Sequence, residues 1–276
     1  MPYLEHADAR IFFTDEGSGP VTLMLVHGLG SDSNDWNWVV PLLRDRYRVV
    51  TFDLRGHGHS SSSGGSTLAD FAYDALAIAE RIGCERFVPM GHSLGGAIAA
   101  HLAVEHPERV QAVIEVDAAY ALPSFVVDLW EAERAQWLNK KAKLPDFFFT
   151  SPVMQPFLMT WLARRVESMD PVSFWAAYDG LARGPERMYL ASPEAEAYLR
   201  RRACPVLSIS ALPGRAEWET PLFNHPASRA LGWEGSSHYL HLERYREMAA
   251  VVSGWVDALT VQGALAAGDA ETASAP

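Results

Sequence analysis

The first 120 positions alternate between short, almost uninterrupted apolar runs and longer stretches in which apolar residues return at helical spacing. The runs lie at 21–26, 47–52, 87–90 and 110–116. A strand with one wet face alternates apolar and polar residues. Continuous runs of this length belong instead to strands covered on both faces, as in a parallel sheet between helix layers. Helical patterns fall between them at 38–44, 68–82 and 97–106, the last stopped by Pro107. Strand–helix–strand–helix order predicts an α/β fold with a doubly wound, mostly parallel sheet. Residues 11–14 and those before them read as an opening antiparallel hairpin.

The texture changes near position 121. From there to 202 the pattern is helical, broken by prolines and without a clear strand. Bulky side chains gather in it: Trp130, Trp137, Phe147, Phe148, Phe149, Trp161, Phe174, Trp175 and Tyr178. This predicts a helical cap at 121–202 inserted into a core made of residues 1–120 and 203–262. Strand character resumes at 205–210 and 229–233, and a last helix is expected over 244–259. The tail at 263–276 is rich in Ala, Gly, Ser and acids, too little apolar surface to fold by itself.

Composition narrows the function classes. The chain has 276 residues, 49% of them hydrophobic, and a formal net charge of −11. That length supports one sizeable core. An acidic surface disfavours a nucleic-acid backbone or an anionic membrane as partner. Two cysteines, Cys84 and Cys204, have no C-x-x-C spacing, which leaves neither a disulfide framework nor a cysteine zinc site to expect. The first residues lack the basic and apolar segments of a signal peptide, and no apolar stretch is long enough to span a bilayer. The expectation is a soluble, cytoplasmic protein needing no cofactor or metal; its oligomeric state is not legible.

The sharpest local signal is Gly91-His92-Ser93-Leu94-Gly95-Gly96, a G-x-S-x-G pattern between an apolar run and an alanine-rich one. A strand turning sharply into a helix would expose the Ser93 hydroxyl on a strained bend, with backbone N–H groups of the helix start beside it. A serine hydroxyl also needs a base, an orienting acid and an oxyanion site. His238, after the last strand and before the last helix, is the candidate base. The backbone N–H groups of Leu29 and Leu94 are the candidate oxyanion donors, Leu29 lying in the turn His27-Gly28-Leu29-Gly30. His241 is expected to pack or cap, and no acid in ligand register makes a metal pair of His238 and His241.

Together with Asp53-Leu54-Arg55-Gly56-His57-Gly58-His59-Ser60, the turn at 27–30, the elbow at 91–96 and the stretch His238–Glu243 resemble the α/β-hydrolase superfamily, in its esterase, lactonase, carbon–carbon hydrolase and cofactor-free haloperoxidase branch. The resemblance covers roughly 3–120 and 203–260. It implies that the block at 53–60 is a structural turn, leaving Asp53, His57 and His59 outside the chemistry. The acid departs from the commonest pattern. Most relatives carry an aspartate after the strand that here reads 205–210, yet 211–215 has no carboxylate. Asp117, at the end of the run at 110–116, is favoured over Glu217 because it sits where active sites form and keeps the order Ser, Asp, His.

These readings imply a serine hydrolase acting through an acyl-enzyme on a carboxylic ester or lactone. Trp36, Trp130, Trp137, Trp161 and Trp175 are candidate pocket residues, pointing to a medium-sized apolar or aromatic substrate. A carbon–carbon hydrolase or a cofactor-free oxygenase is the alternative within enzymes. A non-catalytic receptor for a small apolar ligand is the alternative outside them. A dehalogenase or epoxide hydrolase would want a carboxylate where Ser93 stands.

Overall fold

The computed structural model describes residues 3–62, 64–140 and 154–265, the side chains at 62 and 137–140 excepted. The chain opens with a hairpin of β1 (Tyr3–His6) and β2 (Ala9–Glu16). In β2, Ala9, Ile11 and Phe13 are buried and the residues between them are not, as a strand with one wet face requires. β3 (Thr22–Val26) follows, buried at every position. A 3-10 turn at Ser33–Trp36 and the short α1 (Val40–Leu43) lead to β4 (Arg48–Phe52). The helix expected over 38–44 is thus shortened, with Pro41 in its first turn, where the missing N–H costs nothing. β5 (Ser61–Ser62) is a brief partner of β2. Then come α2 (Leu68–Arg81), β6 (Val88–His92), α3 (Leu94–Glu105) and β7 (Val113–Val116). Thr67 and Asp70 close a reciprocal capping box at the start of α2.

Between β7 and the next strand lie α4 (Ser124–Lys140), α5 (Pro156–Ser168), α6 (Pro171–Ala182) and α7 (Pro193–Leu199). The prolines that interrupt the sequence pattern here open α5, α6 and α7. Asp170 and Ser192 accept hydrogen bonds from the N–H groups of Ser173 and Ala195 to cap the last two. The chain then re-enters the sheet as β8 (Val206–Ser210), and finishes with α8 (Arg215–Glu219), β9 (Arg229–Gly232), α9 (Leu240–Glu243) and α10 (Tyr245–Val261). Phe147, Phe148, Phe149, most of the tail and the Trp137 side chain lie outside the described residues.

The strand order is β1-β2-β4-β3-β6-β7-β8-β9, with β5 beside β2. β1, β2 and β4 pair antiparallel, whereas every neighbouring pair from β4 to β9 is parallel. Side chains alternate between two cores. Met24, Val26 and Phe52 face α2, α3 and the inserted helices, while Leu23, Leu25 and Val49 face α1 and α10. From β3 the chain moves to β4 on one side and returns to place β6 on the other. The loops after β3 and β6 therefore diverge, opening a crevice at the C-terminal ends of the strands.

Candidate active site

Ser93 occupies that crevice. It joins β6 to α3 as the residue before the first helical turn, with φ of 53° and ψ of −115°. A side chain in this left-handed region stores roughly 1–3 kcal/mol of strain, which the surroundings must hold in place. They do so through the backbone: Ser93 N–H donates to Val116 O at 3.0 Å, and its carbonyl accepts from Ala97 and Ala119 at 3.1 and 2.9 Å. The bend is also too tight for side chains on either flank. A Cβ on Gly91 would overlap the Gly95 carbonyl, and one on Gly95 would overlap that of Val26. Helix α3 starts at Leu94, three residues earlier than the sequence pattern predicts, so the positive end of its dipole lies beside the serine.

Asp117 lies just past β7, also at positive φ (43°). Its N–H donates to Ile209 O at 2.7 Å, which ties the bend to β8. Oδ1 accepts from Ser210 Oγ at 2.6 Å and from Ala211 N–H at 2.9 Å. Oδ2 lies 2.7 Å from His238 Nδ1. Because an ionised carboxylate only accepts, the proton of that bond sits on Nδ1, and in the neutral imidazole Nε2 then carries the lone pair. Burial pushes the Asp117 carboxyl toward neutrality. The hydrogen bonds from His238, Ser210 and Ala211 outweigh it and hold the group below the usual carboxylate range. His92, next to Ser93, donates from Nε2 to the His238 carbonyl at 2.9 Å and so anchors the histidine loop to the elbow.

Ser93, Asp117, His238, Leu29 and Leu94 all line one cavity of about 380 Å³. Glu217 is exposed on α8, away from it. Of the candidate tryptophans, Trp130 alone among the described residues lines the cavity. Trp36 is fully buried in the core on the opposite face of the sheet, its ring against His241 of α9 at 4.9 Å between centroids. Trp161 packs edge-on against Trp38, and Trp175 packs among Phe174, Trp130 and Tyr178. The wall is built instead from Leu122, just before α4, and from Val126 and Trp130, one four-residue step apart on α4, together with Tyr178, Leu181 and Tyr189. That spacing is the signal by which sequence reading could have found the wall.

Two buried ionic clusters flank the site. Against the 28–31 turn, Arg165 of α5 reaches Asp32 through Nε at 3.0 Å and Nη2 at 2.7 Å, and bonds Asp35 through Nη1. Burial opposes a charge on Asp35, but Arg165 holds its carboxyl far below its ordinary value. One ligating atom each from Asp35, His92 and His241 fall within 4.8 Å of one another. However, the Asp35 oxygens are occupied by Arg165 and by Ser31 Oγ (2.5 Å), and the two imidazoles are tilted by 40° with centroids 4.2 Å apart. The guanidinium already neutralises the one carboxylate of the group, which suits the cluster poorly to a cation.

The second cluster lies below Asp117. Arg202 Nη1 meets Glu115 at 2.5 Å and Glu219 at 3.2 Å, and the Tyr120 hydroxyl lies 2.6 Å from Glu115 and 2.5 Å from Glu219. Asp53, in the block at 53–60, accepts from the N–H groups of Ser33 and His59, both at 2.7 Å, and so ties that block to the 3-10 turn.

A model of the α/β hydrolase fold family matches residues 21–196. The chain is similar to a fluoroacetate dehalogenase of Burkholderia sp., 33% identical over 172 residues that cover 56% of this chain and 55% of that protein. It is also similar to the pimeloyl-[acyl-carrier protein] methyl ester esterase of Pectobacterium carotovorum, 36% identical over 108 residues, 39% of this chain and 41% of that one. The chain thus spans about half, or less, of the length of these curated relatives. Among solved structures, the enol-lactonase of Burkholderia xenovorans superposes with a TM-score of 0.78 over 93% of this chain and 100% of that one, at 19% identity. At that identity the likeness is one of fold.

Proposed function

This chain belongs to the α/β hydrolase fold family, and from that premise we propose that it is a serine-dependent hydrolase of carboxylic esters or lactones bearing a medium-sized apolar or aromatic group. The observation that carries the reading is the 2.7 Å Asp117–His238 hydrogen bond, opening into the same cavity as a serine on a strained elbow. His238 Nε2 takes the Ser93 proton as Oγ attacks the carbonyl carbon. The N–H groups of Leu29 and Leu94 hold the developing oxyanion. Collapse expels the alcohol with a proton from His238, and water then attacks the acyl-serine by the same path. Asp117 keeps the imidazole in the useful tautomer and stabilises its charged form.

The chain differs from what a dehalogenase needs, since Ser93 stands where halide displacement would require a carboxylate. A volume of about 380 Å³ admits a group of roughly a dozen non-hydrogen atoms, at the ~30 Å³ that a water occupies in the liquid. The walls are largely aliphatic and aromatic, which favours an uncharged substrate. Nitrophenyl esters of graded chain length and several lactones, assayed on the protein and on Ser93→Ala, test the reading. Turnover peaking at medium chain length and abolished in the variant is the expected result; turnover that survives the substitution defeats it.

A further inference from the structure

Arg165 belongs to an inserted helix, yet its charge is spent on the loop that carries the oxyanion donor. Its guanidinium makes two contacts to the Asp32 carboxylate and one to Asp35, and Nη2 also reaches the Asp32 carbonyl at 3.2 Å. Its flat face lies over Trp161, 4.3 Å from the ring centroid. Both carboxylates are themselves tied to the turn. Asp32 caps the 3-10 segment by accepting from Asn34 N–H at 2.8 Å, and Asp35 accepts from Ser31 Oγ. Ser31 N–H closes back on Gly28 O at 3.2 Å, and Leu29 lies inside that closure.

The same helix layer touches the turn a second time. Gly30 has φ of 72°, and a Cβ there would fall 3.0 Å from Phe174 and 3.1 Å from Val166, both on inserted helices. The oxyanion turn is therefore gripped from above by α5 and α6 and from below by Asp53, through Ser33 N–H.

Resting on the hydrolase reading given above, we propose that Arg165 is a positioning residue: by bridging α5 to Asp32 and Asp35 it fixes the 28–31 turn so that Leu29 N–H points at the oxyanion. The inserted helices then do more than roof the cavity. Seating them completes the oxyanion site, and lifting them for substrate entry dismantles it, so chemistry is confined to the closed arrangement. Arginine suits the task because its planar fork holds two carboxylates at fixed angles, which a lysine cannot reproduce.

The test compares Arg165→Met, Arg165→Lys and the milder Asp32→Asn on a short and a medium-chain nitrophenyl ester. The expected result is a kcat lower by about 30-fold or more in Arg165→Met, partial recovery in Arg165→Lys, and a few-fold loss in Asp32→Asn, with KM within about threefold throughout. A trifluoromethyl ketone, which forms a tetrahedral oxyanion on the serine, should weaken in parallel with kcat/KM. A loss confined to KM of the longer ester, or unchanged inhibitor affinity in a folded variant, would overturn the proposal. Asp32→Asn retains the Arg165–Asp35 contact and answers the question if Arg165→Met does not fold. Hydrogen exchange of the 28–31 amides separates this idea from the functional reading. Were the parent protein silent toward every ester and lactone, the hydrolase reading would fail; faster exchange in Arg165→Lys would still show the grip on the turn, and unchanged exchange would refute it.

Discussion

Asp117 and Glu115 stand two residues apart at the end of β7, both buried, and the protein treats them in opposite ways. Asp117 is surrounded by donors: the His238 ring, the Ser210 hydroxyl and the Ala211 amide. These outweigh burial and keep it ionised. Glu115 shares one guanidinium, that of Arg202, with Glu219. Tyr120 contacts both carboxyls at 2.6 and 2.5 Å, but its hydroxyl has a single proton to donate. One of the two contacts must use a proton from a carboxyl group. Burial first, and the neighbouring Glu219 after it, raise Glu115 to about 7, while Arg202, Arg215 and Ser208 pull Glu219 below its ordinary value. Donor count, rather than depth, decides which carboxyl on this strand carries charge.

The largest way to break that contrast is at Asp117. Asp117→Asn keeps the shape but removes the charge that orients His238, and kcat should fall by about three to four orders of magnitude in esterase assays. Glu217→Gln, on an exposed residue, should stay within about twofold of the parent. The reverse ranking would move the acid to α8.

Next comes Arg202→Met, which strands Glu115 and Glu219 without their shared cation. A cost of about 3–5 kcal/mol is expected, read as a melting temperature lower by roughly 10 °C. The activity of the remaining folded protein should be almost unaffected.

The smallest effect sharpens the comparison through pH. A carboxyl raised in the folded state contributes its full stability below the unfolded value near 4.5, and loses it as pH climbs to about 7. Glu219 and Asp117, both depressed, lose their contribution only at lower pH. Between these limits Glu115→Gln should therefore flatten the decline in stability, making the variant relatively more stable at pH 7.5 than at pH 5. Denaturant titrations at the two pH values measure it, and parallel curves would place the shared proton elsewhere.

The core was more legible than the insertion, for physical reasons. Strands buried on both faces leave continuous apolar runs, and a serine bend packed against neighbouring backbone demands glycines at 91 and 95. That Asp117 meets His238 at the cavity was legible because the end of an apolar strand is a place as well as a residue. The start of α3 was read late, since Gly95 and Gly96 look unhelical and only packing against β6 and β7 makes them so. Trp36 joins the other core, and an aromatic after the 27–30 turn carries no mark of which sheet face it will meet. In the insertion, every helix has an apolar inner side, and composition cannot say which aromatics look into the cavity and which pack against each other. Arg165 gave no local sign at all, since its partner Asp32 is 133 positions away in the chain.

Asp117 comes from the end of β7, so under the proposed mechanism the connection from β8 to α8 supplies no catalytic carboxyl. It serves as wall instead: Ala211 and Leu212 line the cavity, and the Ala211 N–H donates to Asp117. On the proposed mechanism, exchanging Leu212 for a smaller or larger residue should retune which acyl groups are accepted while the proton path stays intact, which gives natural drift or an engineer a place to change diet.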